Sequence, residues 1–425
     1  GGQTNIVSQC WGFIGGGCNN TVNGVAGVVA GGVANIADAD YTFIGGGQSN
    51  LPINSSHGVI AGGCGNALAA PCTVITGGKA NSTAAGTDYG IIGGGQSNAI
   101  TANACHGSII GGCGNKVCGD VGVVGGGNSN ISFGTNSLVG GGSCNCNACG
   151  NCAVIVGGNN NYNSDSKTFI GGGSYNCVIG SNEASVIVGG YKNTLTTAPS
   201  GTVIVGGVNN VVCSIGSFVG GGANNDICYA YGVITGGRCN CICGRYGVIV
   251  GGVRGCVKAG CSIVGGGCLN CIGDNGCFGV VGGGECNSID TACSVVVGGH
   301  GNCAPTGNGS FTGGGVDNKN CASCGVLGGG RLNQACGTYS FMGGGYVSCA
   351  TGVASVVVGG CQNLELGTCH NSIVGGNNHR VCGGTTGAFI GGGTANKIDG
   401  SANWGTIAGG CFNALSGSYG FIGGG

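Results

Sequence analysis

Charge is scarce in this chain. Its 425 residues carry 12 Lys+Arg against 13 Asp+Glu, a net charge of −1. Phosphate backbones are gripped by clustered Lys and Arg, and no such cluster occurs, which argues against nucleic acid as a partner. A polybasic patch for an anionic membrane is missing for the same reason. Proline is nearly absent, with 4 residues. Glycine follows no every-third-residue period, so collagen is excluded. No apolar run approaches the roughly 20 residues that span a bilayer, so no membrane insertion is expected of this segment. No signal peptide is visible. Low charge would suit a disordered chain, but such chains are poor in Val and Ile and this one is rich in both.

Glycine and cysteine fill the gap, at 108 and 33 residues. The glycines are ordered by a repeat, which reads small residue, apolar residue, Ile or Val, a variable slot, Gly, Gly, any, any, Asn. GFIGGGCNN (12–20), GVVAGGVAN (27–35), TFIGGGQSN (42–50) and SFVGGGANN (217–225) are clear copies. The Gly pair occurs 28 times, from Gly1-Gly2 to Gly424-Gly425, at spacings of 15, 16 or 17 residues. The Asn slot is complete 27 times and holds Asn in 24, the exceptions being Gly255, Ser348 and His379.

A β-branched or aromatic pair such as Phe13-Ile14 or Val203-Ile204 suits a short strand. The Gly-Gly that follows supplies the positive φ of a tight corner and lets a neighbouring segment approach. A second strand is expected after the Asn, where an apolar residue recurs two places on, as at Val22, Ile100, Val212, Ile242 and Leu415. One unit is then one coil, and coils stacked in parallel form an all-β solenoid. At about 4.8 Å per coil, the repeat intervals predict a rod on the order of 130 Å long. The Asn slot reads as a ladder of stacked amides bonding to each other and to the corner backbone. A coil this short encloses few side chains, so one chain has a meagre core. An oligomer is expected, most simply three parallel chains around one axis.

The phrases YSFMGGGYVS (339–348), SYGFIGGG (418–425) and YGIIGGGQSN (89–98) resemble the Gly-rich head repeats of trimeric autotransporter adhesins, and similar repeats in phage and large-virus fibre proteins. The resemblance covers the whole chain. It implies a left-handed parallel β-roll of three chains wound together, projecting from a virion or cell surface to meet a host receptor or glycan. The cysteines depart from the adhesin heads and favour a viral or other fibre. Both ends fall within a unit, and no atypical capping repeat is visible. Residues 1–425 therefore read as one continuous repeat array, a segment of a longer fibre protein.

The cysteines follow the repeat. Fourteen lie one or three places after the Asn slot, and six directly follow the Gly pair. Cys228/Cys243, Cys241/Cys256/Cys271 and Cys321/Cys336 recur at a spacing of 15, one coil apart. A coil step of about 4.8 Å lies within the Cα separation a disulfide tolerates, so these are candidate disulfide columns, in an oxidising, extracellular setting. Buried free thiols and metal binding are the alternatives. CNCNACGNC (144–152) and CNCIC (239–243) carry the metal reading, although most of their cysteines occupy columns that cysteine uses elsewhere in the repeat. His57, His106 and His370 share a column that reads as a surface corner.

Catalytic chemistry is not evident. Of the scattered carboxylates only Asp274, Glu285 and Asp290 fall on neighbouring coils, whereas a glycosidase needs two facing each other. Calcium-binding nonapeptide repeats carry Asp where this repeat is neutral. No Lys and no helix follow GGGxxN, so it is no phosphate loop. No catalytic, cofactor-binding or metal residue is assigned, no cofactor is implied, and no enzyme activity is expected. Sequons stand at Asn19, Asn54, Asn81, Asn130 and Asn308. The expected function is a structural fibre shaft or adhesin. The alternatives are a soluble extracellular ice- or surface-binding solenoid, which would want a Thr column that is absent, and a self-assembling extracellular filament.

Overall fold

The computed structural model describes residues 1–180, 183–196 and 200–425. The chain divides into two compact units, Gly1–Gly216 and Ser217–Gly425. Each is a parallel β-solenoid, and the same coil recurs throughout both. Among the described residues nearly every strand is two residues long, Cys177–Ile179 and Thr194–Thr196 being longer.

The first strand of a coil is the apolar pair before the glycines, and these strands stack into what is here called the first sheet. In the first unit Phe13–Ile14 pairs in parallel with Val28–Val29, which pairs with Phe43–Ile44. In the second unit Val233–Ile234, Val248–Ile249 and Ile263–Val264 do the same. The second sheet stacks the strands that follow the Asn, such as Thr21–Val22 on Ile36–Ala37 and Cys241–Ile242 on Cys256–Val257. A third parallel ladder runs through the residue just after the Gly pair, as in Cys18↔Val33↔Gln48 and Arg238↔Val253↔Cys268.

Strand alternation decides the core. In each pair the first residue faces out and the second faces in, so Ile44, Ile60, Ile204 and Ile249 are fully buried while Phe43 is 41% exposed. The second sheet contributes Val22, Leu68, Ile242 and Leu415 from the other side. Two Ile/Val columns, the Asn column and small residues fill the coil, a thin core as its length dictates.

The Asn column is the ladder expected. Asn35 Oδ1 accepts the backbone N–H of Asn50 at 3.0 Å. Its Nδ2 donates to Gly31 O at 3.1 Å and, across the coil step, to Gly47 O at 2.9 Å. In the second unit Asn333 Nδ2 repeats this with Gly329 O at 3.0 Å and Gly345 O at 2.9 Å. Both of these amides are buried with the amide protons and the oxygen satisfied, which removes the cost of a polar group in the core. The ladder also bears on the sequons. Asn81 and Asn130 are ladder residues whose amide nitrogens are already committed, whereas Asn19, Asn54 and Asn308 are exposed.

The positive φ of the corners is shared between the Gly pair, as expected, and residues that are not glycine. Only the second glycine of the pair is held far into positive φ throughout, for example Gly32 at 99° and Gly237 at 91°. Two residues later the chain enters the left-handed region again without needing glycine, at Ala34 (φ 54°), Tyr175 (58°) and Val347 (53°). A second such corner precedes the first sheet, at Tyr41 (56°), His57 (62°) and Val121 (54°). Left-handed backbone is costly for β-branched residues. Here it is fixed by the neighbouring coil, since Ala34 N–H donates to Cys18 O at 2.9 Å and Val347 N–H to Arg331 O at 3.0 Å.

Candidate functional site

The second sheet presents its cysteines outward, one and three places after each ladder position. Cys241, Cys256 and Cys271 are direct register partners on consecutive strands. Cys228 lies beside Cys243, its N–H donating to Ile242 O at 2.9 Å, and Cys321 lies beside Cys336 in the same way, donating to Ala335 O at 2.6 Å. Cys241 and Cys243 project from one strand to the same side, with their sulfurs 3.4 Å apart. All seven residues of the predicted columns thus lie on one face, Cys228, Cys241, Cys243, Cys256 and Cys271 on four consecutive coils and Cys321 and Cys336 on two consecutive coils further along. Adjacent thiols of this kind form disulfides when a two-electron oxidant takes both thiol hydrogens.

Several thiols of this face hold their protons firmly. Burial first, then Cys243, pushes the Cys241 thiol up to about 12. Burial and Cys321 push Cys336 up to about 12. Cys349 rises to about 11, through burial and the Glu365 charge. Cys271 is the exception. The Cys256 thiol hydrogen-bonds to it and Lys258 adds positive charge, which brings it down to about 7 against the opposing effect of burial. Cys256, the donor in that bond, is pushed up. The thiolate is the reactive form, so Cys271 is the expected nucleophile of the face. Limited iodoacetamide at pH 7.5, read by peptide mass spectrometry, should label Cys271 about tenfold or more faster than Cys241 or Cys336, and Lys258→Met should slow it. Equal rates at Cys271 and Cys241 would refute this ordering.

The metal-like runs spread around the coil. Cys144 sits at the left-handed corner after the glycines (φ 56°), Cys146 on the second sheet, Cys149 in the turn and Cys152 at the other corner (φ 55°). Among the described residues no three of His, Cys, Asp and Glu are grouped as a metal ion requires. His57, His106 and His370 do occupy corners, and His57 and His106 stack on Tyr41 and Tyr89 at 5.0 and 5.1 Å. Glu285 lies in the ladder after the glycines, whereas Asp290 follows the second strand Ser288–Ile289, so these carboxylates occupy different sides of the coil.

Two buried groups interrupt their columns, of which only His379 was marked in the sequence, as an exception to the Asn slot. Glu365 takes the place of an inward Val or Ile and is fully buried. Its Oε2 accepts from Thr351 N at 3.1 Å and Gly352 N at 2.8 Å, and its Oε1 from Gly367 N at 2.8 Å and Asn371 Nδ2 at 2.9 Å. The signal available was a charged residue in a column that otherwise holds apolar residues and a few small polar ones such as Thr83, Ser132 and Asn147, close to Gly367 and Asn371. His379 substitutes in the ladder, where its Nδ1 accepts the N–H of Asn396 at 3.1 Å. Burial holds its pKa below the ordinary 6.5. Between that depressed value and 6.5 the unfolded chain binds a proton that the folded chain refuses. The ladder's stability is therefore complete above pH 6.5 and lost as pH falls. His379→Asn restores the standard amide, so it should shrink the fall in the second unit's Tm between pH 7 and pH 5. An unchanged fall would rule out His379 as its source.

No protein-family model and no curated protein matches this chain. No helix among the described residues is long and apolar enough to cross a membrane.

Proposed function

We propose that this chain is the shaft of an extracellular fibre, a left-handed β-roll in which three copies run parallel and project from a virion or cell surface. The observation that carries the reading is the division of labour within each coil. The interior is held almost constant by the ladder and the Ile/Val columns. The exposed corner residues change from coil to coil, as at Gln48-Ser49, Tyr191-Lys192 and Arg331-Leu332. A shaft needs that combination, since length and stiffness come from the invariant interior and the outer corners are left open for weak, repeated contact with a host receptor or glycan. The thiol columns would serve as staples between neighbouring coils once oxidised outside the cell.

Electron microscopy of the native source with antibody against this chain tests the reading. Label along thin projections is the expected result. Label only on dispersed, short, soluble particles would overturn it in favour of a free surface-binding solenoid.

A further inference from the structure

Cys256 and Cys271 join a reactive sulfur to a protonated one. They are direct register partners on neighbouring strands, and both lie half-buried on the outward side of the second sheet. The Cys256 thiol donates a hydrogen bond to the Cys271 sulfur. Cys271 also ends its column, since its next register partner is Ser288. A reactant can therefore approach it past a small side chain.

Register sets how firm a bond this pair can hold. Parallel neighbours in register keep Cβ as far apart as Cα, about 4.8 Å, whereas a relaxed disulfide brings Cβ to about 3.8 Å. The strands must draw together by about 1 Å to close the bond, and a disulfide held under such tension is easily reduced. The coil that carries Cys256 is loosely clamped. Its ladder slot is Gly255, the single glycine among the 27 complete slots. On the coil before it, Asn240 Nδ2 holds Gly236 O and Gly252 O at 3.0 and 3.1 Å. On the coil after it, Asn270 Nδ2 holds Gly266 O and Gly284 O at 2.7 and 2.9 Å. Gly255 has no side chain to do the same for Gly251 and Gly267. The strand of Cys256 can thus shift toward Cys271 without breaking a ladder amide of its own.

We propose that Cys271 and Cys256 form a thiol–disulfide exchange site whose substrate is a small, accessible disulfide. The Cys271 thiolate attacks one sulfur of R–S–S–R. That S–S bond breaks, and one RS⁻ leaves with the electron pair and takes up a proton. Cys271 is then joined to R through a mixed disulfide. Cys256 gives up its proton and attacks the Cys271 sulfur, which releases the second RS⁻. Two electrons have passed from the protein's two thiols to the reactant, which departs as two RSH. Tension in the product lets excess RSH run the sequence backwards. At this pair the staple between coils is therefore a reversible one, and the site stands whether or not the chain is a shaft.

The test mixes the reduced full chain with hydroxyethyl disulfide, quenches with acid, blocks with N-ethylmaleimide and maps the cysteines by peptide mass spectrometry. The probe is neutral because Lys258, Asp274 and Asp290 surround the pair with both signs of charge. The parent should pass through an adduct on Cys271 to a Cys256–Cys271 bond, which mercaptoethanol reopens. Cys256→Ser should stop at the adduct, because Cys241 stands two coils from Cys271, about 10 Å and beyond a disulfide's reach. Cys271→Ser should take up adduct at Cys256 about tenfold or more slowly than the parent does at Cys271. Serine already occupies this column at Ser288, so both variants should keep the parent's circular dichroism. If either misfolds, the order of events in the parent decides. Adduct forming as fast on Cys336 as on Cys271 would overturn the assignment, and so would a Cys256–Cys271 bond that mercaptoethanol leaves closed.

Discussion

Asn145→Asp is expected to be among the most damaging single substitutions in the first unit, although it exchanges only NH2 for oxygen. Asn145 Nδ2 donates to Gly141 O and Gly158 O, both at 2.9 Å, and its Oδ1 accepts from Asn161 N at 3.0 Å. Asp sets an oxygen against two carbonyl oxygens, with a buried charge and no cation beside it. The cost should be about 4 kcal/mol at pH 7, from the lost donors and the desolvated carboxylate. The buried carboxyl would have its pKa raised above the unfolded value. Stability is then retained below pH 4 or so and lost as pH rises through the folded pKa. Asn19→Asp, at an exposed corner, is the control and should change little. Urea melts of the three proteins at pH 4 and pH 7 read the difference. Equal stability of Asn145→Asp and Asn19→Asp would remove the ladder from its central place.

Glu365→Ala is expected to destabilise the second unit by about 3 kcal/mol, since it strands the Gly352 and Gly367 N–H groups inside the core. Glu365→Gln should fall between, because one side of its amide repeats the oxygen contacts while the other turns N–H toward N–H. Thermal melts, with hydrogen exchange at Gly352 and Gly367, give the readout. A Glu365→Ala protein as stable as the parent would mean that water or a rearranged turn satisfies those groups.

Much of this was legible in the sequence because the coil is short and strict. The strands at Phe13-Ile14 and Val203-Ile204, the inward Val22 and Ile242, and the amide ladder all follow from alternation and from the fixed distance between Gly-Gly and Asn. The column spacing of Cys241, Cys256 and Cys271 also translated directly into register, since a spacing of 15 returns to the same point on the next coil. The left-handed corners at Tyr41, Val121 and Val347 were not legible. Their conformation is imposed by hydrogen bonds from the adjacent coil, against local preference. The ordering of thiol acidities was equally hidden, because it turns on Lys258 lying beside Cys271 across a coil step. Glu365 was missed, and which donors meet it depends on how two turns fold over the carboxylate.

In the shaft proposed above, three copies of this chain run side by side in parallel. Mass per unit length, measured by scanning transmission electron microscopy on unstained filaments containing the chain, tests it most directly. With the 40.3 kDa of the chain distributed over 27 coils, one copy amounts to about 0.3 kDa per Å, and three copies in parallel to about 0.9 kDa per Å. A value near 0.9 is the expected result. A value near 0.3 would mean that the chain stands alone, and would contradict the three-chain shaft.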